Sequence, residues 1–135
     1  MLRVLICGGR HYADFERIKA TLVELGGKET ISVVIHGAAD GADCLGALAA
    51  QELGIPLIAV PADWRKHGNA AGPIRNQQMI DEHSPNLVLA FPDPQSKGTW
   101  DMVRRAKKDE IEVRIIQGKE GQVITRYGGS EVVGL

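Results

Sequence analysis

Residues 31–61 read ISVVIHGAADGADCLGALAAQELGIPLIAVP. The stretch opens on an apolar run, 31–36, and closes on another, 56–61. Between them a loop of glycine, alanine and aspartate leads into a segment in which Leu45, Leu48, Ala49 and Leu53 recur at helical spacing. Gly54 ends that segment and Pro56 blocks its continuation. Strand, helix and strand in this order form a right-handed crossover unit of a parallel sheet. Gly46, Ala47 and Ala50 are small, so the helix can lie close to the sheet.

The same alternation extends in both directions. LRVLIC (2–7) and NLVLAF (86–91) are strong strand candidates, and VRII (113–116) is a weaker one. In DFERIKATLVELGG, Phe15, Ile18, Leu22 and Leu25 make a helical stripe. Asp14 suits the N-cap of that helix, and Gly26 and Gly27 suit its end. A third helix is predicted from about Pro73 to His83 and a fourth from about Thr99 to Asp109. The strand runs are apolar on both faces, which requires helices on both sides of the sheet. The fold expected is a three-layer α/β/α domain with a mostly parallel sheet of five strands or slightly more. It spans residues 1–117. Residues 118–135 are glycine-rich and without clear period. They form an extension that reads equally as an edge hairpin, a subunit contact or a tail.

The bulk numbers bound the function. At 135 residues the chain suits one domain with a single core. Its 44% hydrophobic and 24% charged residues are ordinary for a globular protein. No apolar run approaches the ~20 residues of a membrane span. Met1 leads almost at once into a strand, not a signal peptide. A cytoplasmic protein is expected. Sixteen Lys and Arg against 17 Asp and Glu leave a net charge of −1, which argues against a globally basic nucleic-acid binder. Cys7 and Cys44 fit no metal-ligand spacing and are expected to be buried and inert. The four histidines are scattered. Neither a metal nor a cofactor is expected.

Open parallel sheets bind ligands beyond the carboxyl ends of their strands. The unusual residues of this chain fall there, in CGGRHYAD, HGAADGAD, PADWRKHGNAAGP and FPDPQSKGT. Gly8, Gly9 and Arg10 suit close approach to a ligand, or else a tight turn with an exposed arginine. Gly37 and Gly41 flank a loop whose Asp40 and Asp43 either cap the next helix or, for Asp40, meet a ribose hydroxyl or hold the neighbouring loop. Gly98 and Thr99 open the fourth helix, where backbone N–H groups and a hydroxyl can grip a phosphate, or where Thr99 is a plain cap. Trp64 and Trp100 either stack on a base or shield the sheet edge. Arg75 falls in the first turn of the third helix. A cation at the positive end of a helix dipole suggests an anion nearby, the alternative being a surface ion pair.

Taken together and in order, GGRHYAD, HGAADGAD, PADW, GPIRNQQM and KGTWDMVRRA resemble the SLOG superfamily, and within it the YspA-type branch. The resemblance covers about residues 2–117. It implies a Rossmann-like fold. Members include the cytokinin-activating LOG phosphoribohydrolases, which cleave the N-glycosidic bond of nucleoside 5′-monophosphates, and the DNA-processing protein DprA. The hydrolases carry R-K-x-x-M and PGGxGTxxE motifs. Arg75–Met79 matches the first with Asn76 in place of lysine. FPDPQSKGTWDM matches the second, keeping Gly98 and Thr99 but placing Met102 at the glutamate. Asp101 is the adjacent carboxylate.

What the resemblance implies is a domain that binds a nucleotide or nucleotide-derived small molecule. The expected site is Gly8, Gly9, Arg10, Gly37, Asp40, Gly41, Asp63, Arg75, Asn76, Gly98 and Thr99, with Arg65 and His67 on the rim. The alternative is a phosphoribohydrolase-like enzyme in which Arg75 and Asp101 are catalytic. A weaker alternative is single-stranded DNA binding, disfavoured by the net charge. LOG-type members pair through helices beside the cleft, so a homodimer or higher homo-oligomer is expected, with Trp64, Trp100 and Met102 near the contact.

Overall fold

A computed structural model of the chain describes residues 1–117, together with 122–126 and 131–132 at the level of the backbone. Strand β1 (Leu2–Gly8) lies inside the sheet, and its Val4, Leu5 and Ile6 are wholly buried. Successive side chains of a strand point to opposite faces. Val4 and Ile6 therefore enter one apolar cluster, and Leu5 and Cys7 enter another on the far side. The run is apolar without alternation because both faces are covered.

The remaining parallel strands are β2 (Ile31–His36), β3 (Leu57–Ala59), β4 (Leu87–Phe91) and β5 (Glu112–Gln117). Two antiparallel strands follow, β6 (Gln122–Arg126) and β7 (Glu131–Val132). The sheet order is β3-β2-β1-β4-β5-β6-β7. Helices α1 (Phe15–Lys28) and α2 (Ala42–Glu52) supply Ile18, Leu22, Ala49 and Ala50 to the first cluster. A short α3 (Trp64–His67) and a 3₁₀ turn (Gly68–Ala70) lead into α4 (Ala71–His83), and α5 (Lys97–Lys108) follows β4. Met79, Ile80, Met102 and Val103 of α4 and α5 fill the second cluster. Five parallel strands between two helical layers make the Rossmann-like three-layer fold expected from the sequence.

Several local expectations need correction. Helix α1 runs through Gly26 and Gly27 and leaves by way of Glu29, which is extended at φ −151°. Neither glycine takes the positive φ that ends a helix, so their permissiveness goes unused. Gly54 does take it, at φ 72°, just past the end of α2. Helix α4 starts two residues before Pro73, which a first turn tolerates because the missing N–H would have no partner there. Cys7 is buried, and that burial pushes its thiol pKa up, but Cys44 is exposed on α2. Met102 is wholly buried rather than part of an exposed cluster. The close helix–sheet approach expected of α2 is present: a Cβ on Gly46 would stand 2.8 Å from Ile6 Cδ1. Among the described residues no helix is long and apolar enough to cross a membrane.

Candidate functional site

Strands β1 and β4 are neighbours, yet the chain leaves β1 towards β2 and leaves β4 towards β5. The loops after them diverge, and a cleft opens where they part. Its volume is about 990 Å³, and it is walled by the loops after β1, β2, β3 and β4 and by the starts of α4 and α5.

The floor is built around one residue, Gly37. The Asp43 carboxylate accepts the Gly37 N–H at 2.8 Å and the Ala39 N–H at 3.4 Å. From the other side Arg75 Nη1 donates to the Gly37 carbonyl, and also to the Val60 carbonyl at 3.5 Å. A Cβ at position 37 would collide with the guanidinium, so this approach requires glycine. Burial pushes the Asp43 pKa up to about 6, although Arg75 and the two N–H donors pull the other way. Burial lowers the pKa of Arg75, and the Asp43 charge opposes that. Arg75 thus bonds two backbone carbonyls and Asn76, with the Asp43 carboxylate on the other side of Gly37. Asp43 is not the helix cap: Gly41 takes that place, with φ 78° and its peptide against Gly9 and Arg10. Beside it, buried His36 accepts the Ala38 N–H on Nδ1 at 3.1 Å. Burial, and then Arg75, lower the pKa of His36.

Asn76 joins α4 to the start of α5. Its Oδ1 accepts from Arg75 Nε at 3.1 Å, and its Nδ2 donates to Asp101 Oδ2 at 3.0 Å and to the Gly98 carbonyl at 3.3 Å. Asp101 also accepts from Arg105 Nε at 2.8 Å and lies 3.7 Å from Arg104. Partial burial alone would raise the Asp101 pKa; the bonds from Arg105 and Asn76 outweigh it and hold the carboxyl below its usual range.

Across the cleft Asp93 ties two loops together. It accepts the Gln95 N–H at 2.8 Å and the His11 N–H at 3.0 Å, and these bonds lower its pKa. It also accepts from the Ser96 hydroxyl at 3.0 Å. Gly9 packs so tightly on Asp93 that a Cβ there would displace the carboxylate. Ser96 sits at the N-cap position of α5, but its side chain makes no cap bond. The Lys97 N–H donates to the Gln95 carbonyl at 3.0 Å, which leaves the Gly98 and Thr99 N–H groups of the first turn without an acceptor among the described residues. Gly98 faces open space. Thr99, at 3% exposure, buries a hydroxyl that has no hydrogen-bond partner among the described residues.

Of the residues expected from the sequence, Gly8, Gly9, Arg10, Gly37, Asp40, Arg75, Asn76, Gly98, Thr99 and Asp101 line this cleft. Two do not. Gly41 lies behind the lining, against the loop after β1. Asp63 is the exposed N-cap of α3, accepting the Lys66 N–H at 3.1 Å. Arg65 and His67 of that helix also stand off the lining. Sequence reasoning missed the bracing roles of Asp43 and Asp93, because a carboxylate that holds a loop reads no differently from one that caps a helix.

Parallel strands that end in glycine loops around one cleft define a Rossmann-like α/β domain with its site at the carboxyl edge of the sheet. The model of the YspA, cpYpsA-related SLOG family matches residues 2–67. The chain is 34% identical to the Gene 61 protein of Mycobacterium phage D29 over 119 residues, covering 84% of this chain and 94% of that protein. The chain belongs to the YspA, cpYpsA-related SLOG family. Among solved structures, DNA processing protein A (DprA) from Streptococcus pneumoniae matches 89% of this chain with a TM-score of 0.70 at 18% identity. The chain spans about half, 52%, of the length of that structure, and the likeness is one of fold.

Proposed function

We propose that the cleft binds a nucleotide or nucleotide-derived small molecule, with its phosphate seated on the first turn of α5. The observation that carries this reading is the uncapped start of α5, with the buried, unpartnered Thr99 hydroxyl beside it. Free N–H groups at a helix N-terminus favour an anion. Threonine in a helix populates two χ1 rotamers, so its hydroxyl turns towards an arriving acceptor at small cost. Arg10 and Lys97 line the same cleft and add positive charge. Membership of the SLOG family supports the ligand class. The test is a thermal-shift screen of nucleotides, since any ligand of the native state raises Tm. A ligand that stabilises wild type and Thr99→Val equally refutes the seat; a screen without hits refutes the reading.

A hydrolase acting on the N-glycosidic bond is the second reading, and Asp101 favours it. The carboxylate lines the cleft and is held in its charged form, as stabilisation of an oxocarbenium-like transition state requires. Incubation with nucleoside monophosphates, followed by chromatography, separates the two. Free base formed by wild type and lost in Asp101→Asn establishes the enzyme. Binding without base release establishes a binding domain.

We also propose that the chain pairs with a second copy. Ile74 of α4 and Trp100 of α5 are large, exposed and on helices that pack together, as subunit contacts often are.

A further inference from the structure

We propose that Trp64 is the platform on which the ligand's base stacks, so that a nucleotide lies across the cleft with its base at α3 and its phosphate at α5. The inference rests on the nucleotide reading above and adds the orientation of the ligand and the residue that recognises the base.

Among the described phenylalanine, tyrosine and tryptophan side chains, Trp64 is the one that offers a free ring to the cleft, where the smaller His11 ring also lies. Phe91 is wholly buried and packs on Tyr12, with ring centroids 5.4 Å apart. Phe15 packs against the core. Trp100 does not line the cleft. Trp64 lines it and yet remains 50% exposed. The ring is also supported: its Cη2 lies 3.6 Å from where a Cβ on Gly72 would stand, so the first turn of α4 backs the indole. A large apolar ring held in water at the mouth of a cleft is a surface waiting for a flat partner.

The chemistry of the cleft changes along its length in the sense a nucleotide needs. The lining residues nearest Trp64 in the chain, Pro61, Ala62, Asn69 and Pro73, carry no charge. At the other side stand Arg10, Lys97 and the start of α5, with Asp93 and Asp101 beside them, their carboxylates already engaged by the His11 and Gln95 N–H groups and by Asn76 and Arg105. Strands β3 and β4, which deliver α3 and α5, are three strand positions apart in the sheet. At ~4.8 Å per strand, the strands themselves stand about 14 Å apart. A molecule with an aromatic ring at one end and a phosphate at the other suits two such separated ends, and an inorganic anion suits only one of them. Stacking tolerates every base, because each has a π-face, so the platform selects for a base without choosing which.

The experiment compares the four nucleoside 5′-monophosphates with ribose 5-phosphate by calorimetric titration of wild type, Trp64→Ala, Trp64→Phe and Trp100→Phe. The expected result is that at least one monophosphate binds wild type about 10-fold more tightly than ribose 5-phosphate, the size of one base–aromatic stack. In Trp64→Ala that monophosphate falls to the affinity of ribose 5-phosphate, and in Trp64→Phe much of the difference returns. The chain has two tryptophans, so Trp100→Phe leaves Trp64 as the one indole emitter. Its fluorescence is quenched by the monophosphate and not by ribose 5-phosphate. Equal binding of the sugar phosphate and the monophosphates overturns the platform while leaving the phosphate seat standing. A base preference that survives Trp64→Ala overturns it too. Binding of none of these compounds overturns both readings.

Discussion

Replacing Thr99 by valine should make the ligand-free protein more stable and the ligand-bound protein less so. Valine keeps the branched shape and has nearly the same helix propensity as threonine. It removes a hydroxyl that is buried without a partner. Leaving such a group unsatisfied costs about 1–3 kcal/mol, so its removal should return about 1–2 kcal/mol after small repacking losses. Unfolding entropy near 2.1 cal/mol/K per residue gives about 0.28 kcal/mol/K for 135 residues, so 1 kcal/mol moves Tm by about 3.5 °C. Calorimetry of the apo proteins should therefore show Thr99→Val melting about 3–7 °C above wild type. With ligand present the order of the gains reverses. A hydrogen bond to a charged group contributes about 1.5–3 kcal/mol, so the variant should bind a phosphate-bearing ligand roughly 10- to 100-fold more weakly. An apo variant that melts below wild type would show that the hydroxyl is already satisfied, and the argument for a phosphate seat would lose its main support.

Asp43 titrates at about 6 in the folded chain, above the ~3.9 of an unfolded one, so between these values the native state holds the extra proton. Stability relative to Asp43→Asn should therefore fall as pH rises from about 4 to 6, by at most about 1.4 kcal/mol per unit, and then level off; parallel urea titrations at several pH values would expose a flat or opposite difference. Gly8→Ala should destabilise by about 3 kcal/mol or more, because its Cβ would strike the Phe91 carbonyl and lie 2.5 Å from Ala42 Cβ, and neither backbone nor core can give way; chemical denaturation checks it. Light scattering coupled to gel filtration should return twice the 14.6 kDa of one chain, and replacement of Ile74 and Trp100 by serine should return a single chain. A mass of one chain for wild type at all concentrations removes the pairing proposal.

The fold was legible because its signals are local and repeated. Apolar runs such as 4–7 and 87–91, apolar on both faces, have few structural meanings, and the segments between them carry a helical period. The site was legible as a place more than as a set of contacts. Glycines after the strands marked the loops correctly, since Gly8, Gly9 and Gly37 each meet an atom that leaves no room for a side chain. The polar roles were harder. Arg75 and Asp43 lie 32 positions apart, and only the fold brings both onto Gly37. Asp63 was expected in the site with the rest of PADW; it caps a four-residue helix that lacks the length to show any period. Glu29 ended α1 where two glycines stood nearer, because a C-cap depends on backbone path as well as composition.

The double hold on Gly37 has a further consequence. The Gly37 N–H is held by Asp43 of α2, and its carbonyl by Arg75 of α4. Those helices belong to opposite layers of the molecule, and the sheet lies between them. One residue, through the two peptide groups that flank it, thus acts as a rivet through the whole thickness of the domain. The floor of the cleft cannot form in a partly folded chain that has docked only one layer, so the site should appear late and all at once. Hydrogen exchange at the Gly37 amide should then report global opening rather than local breathing.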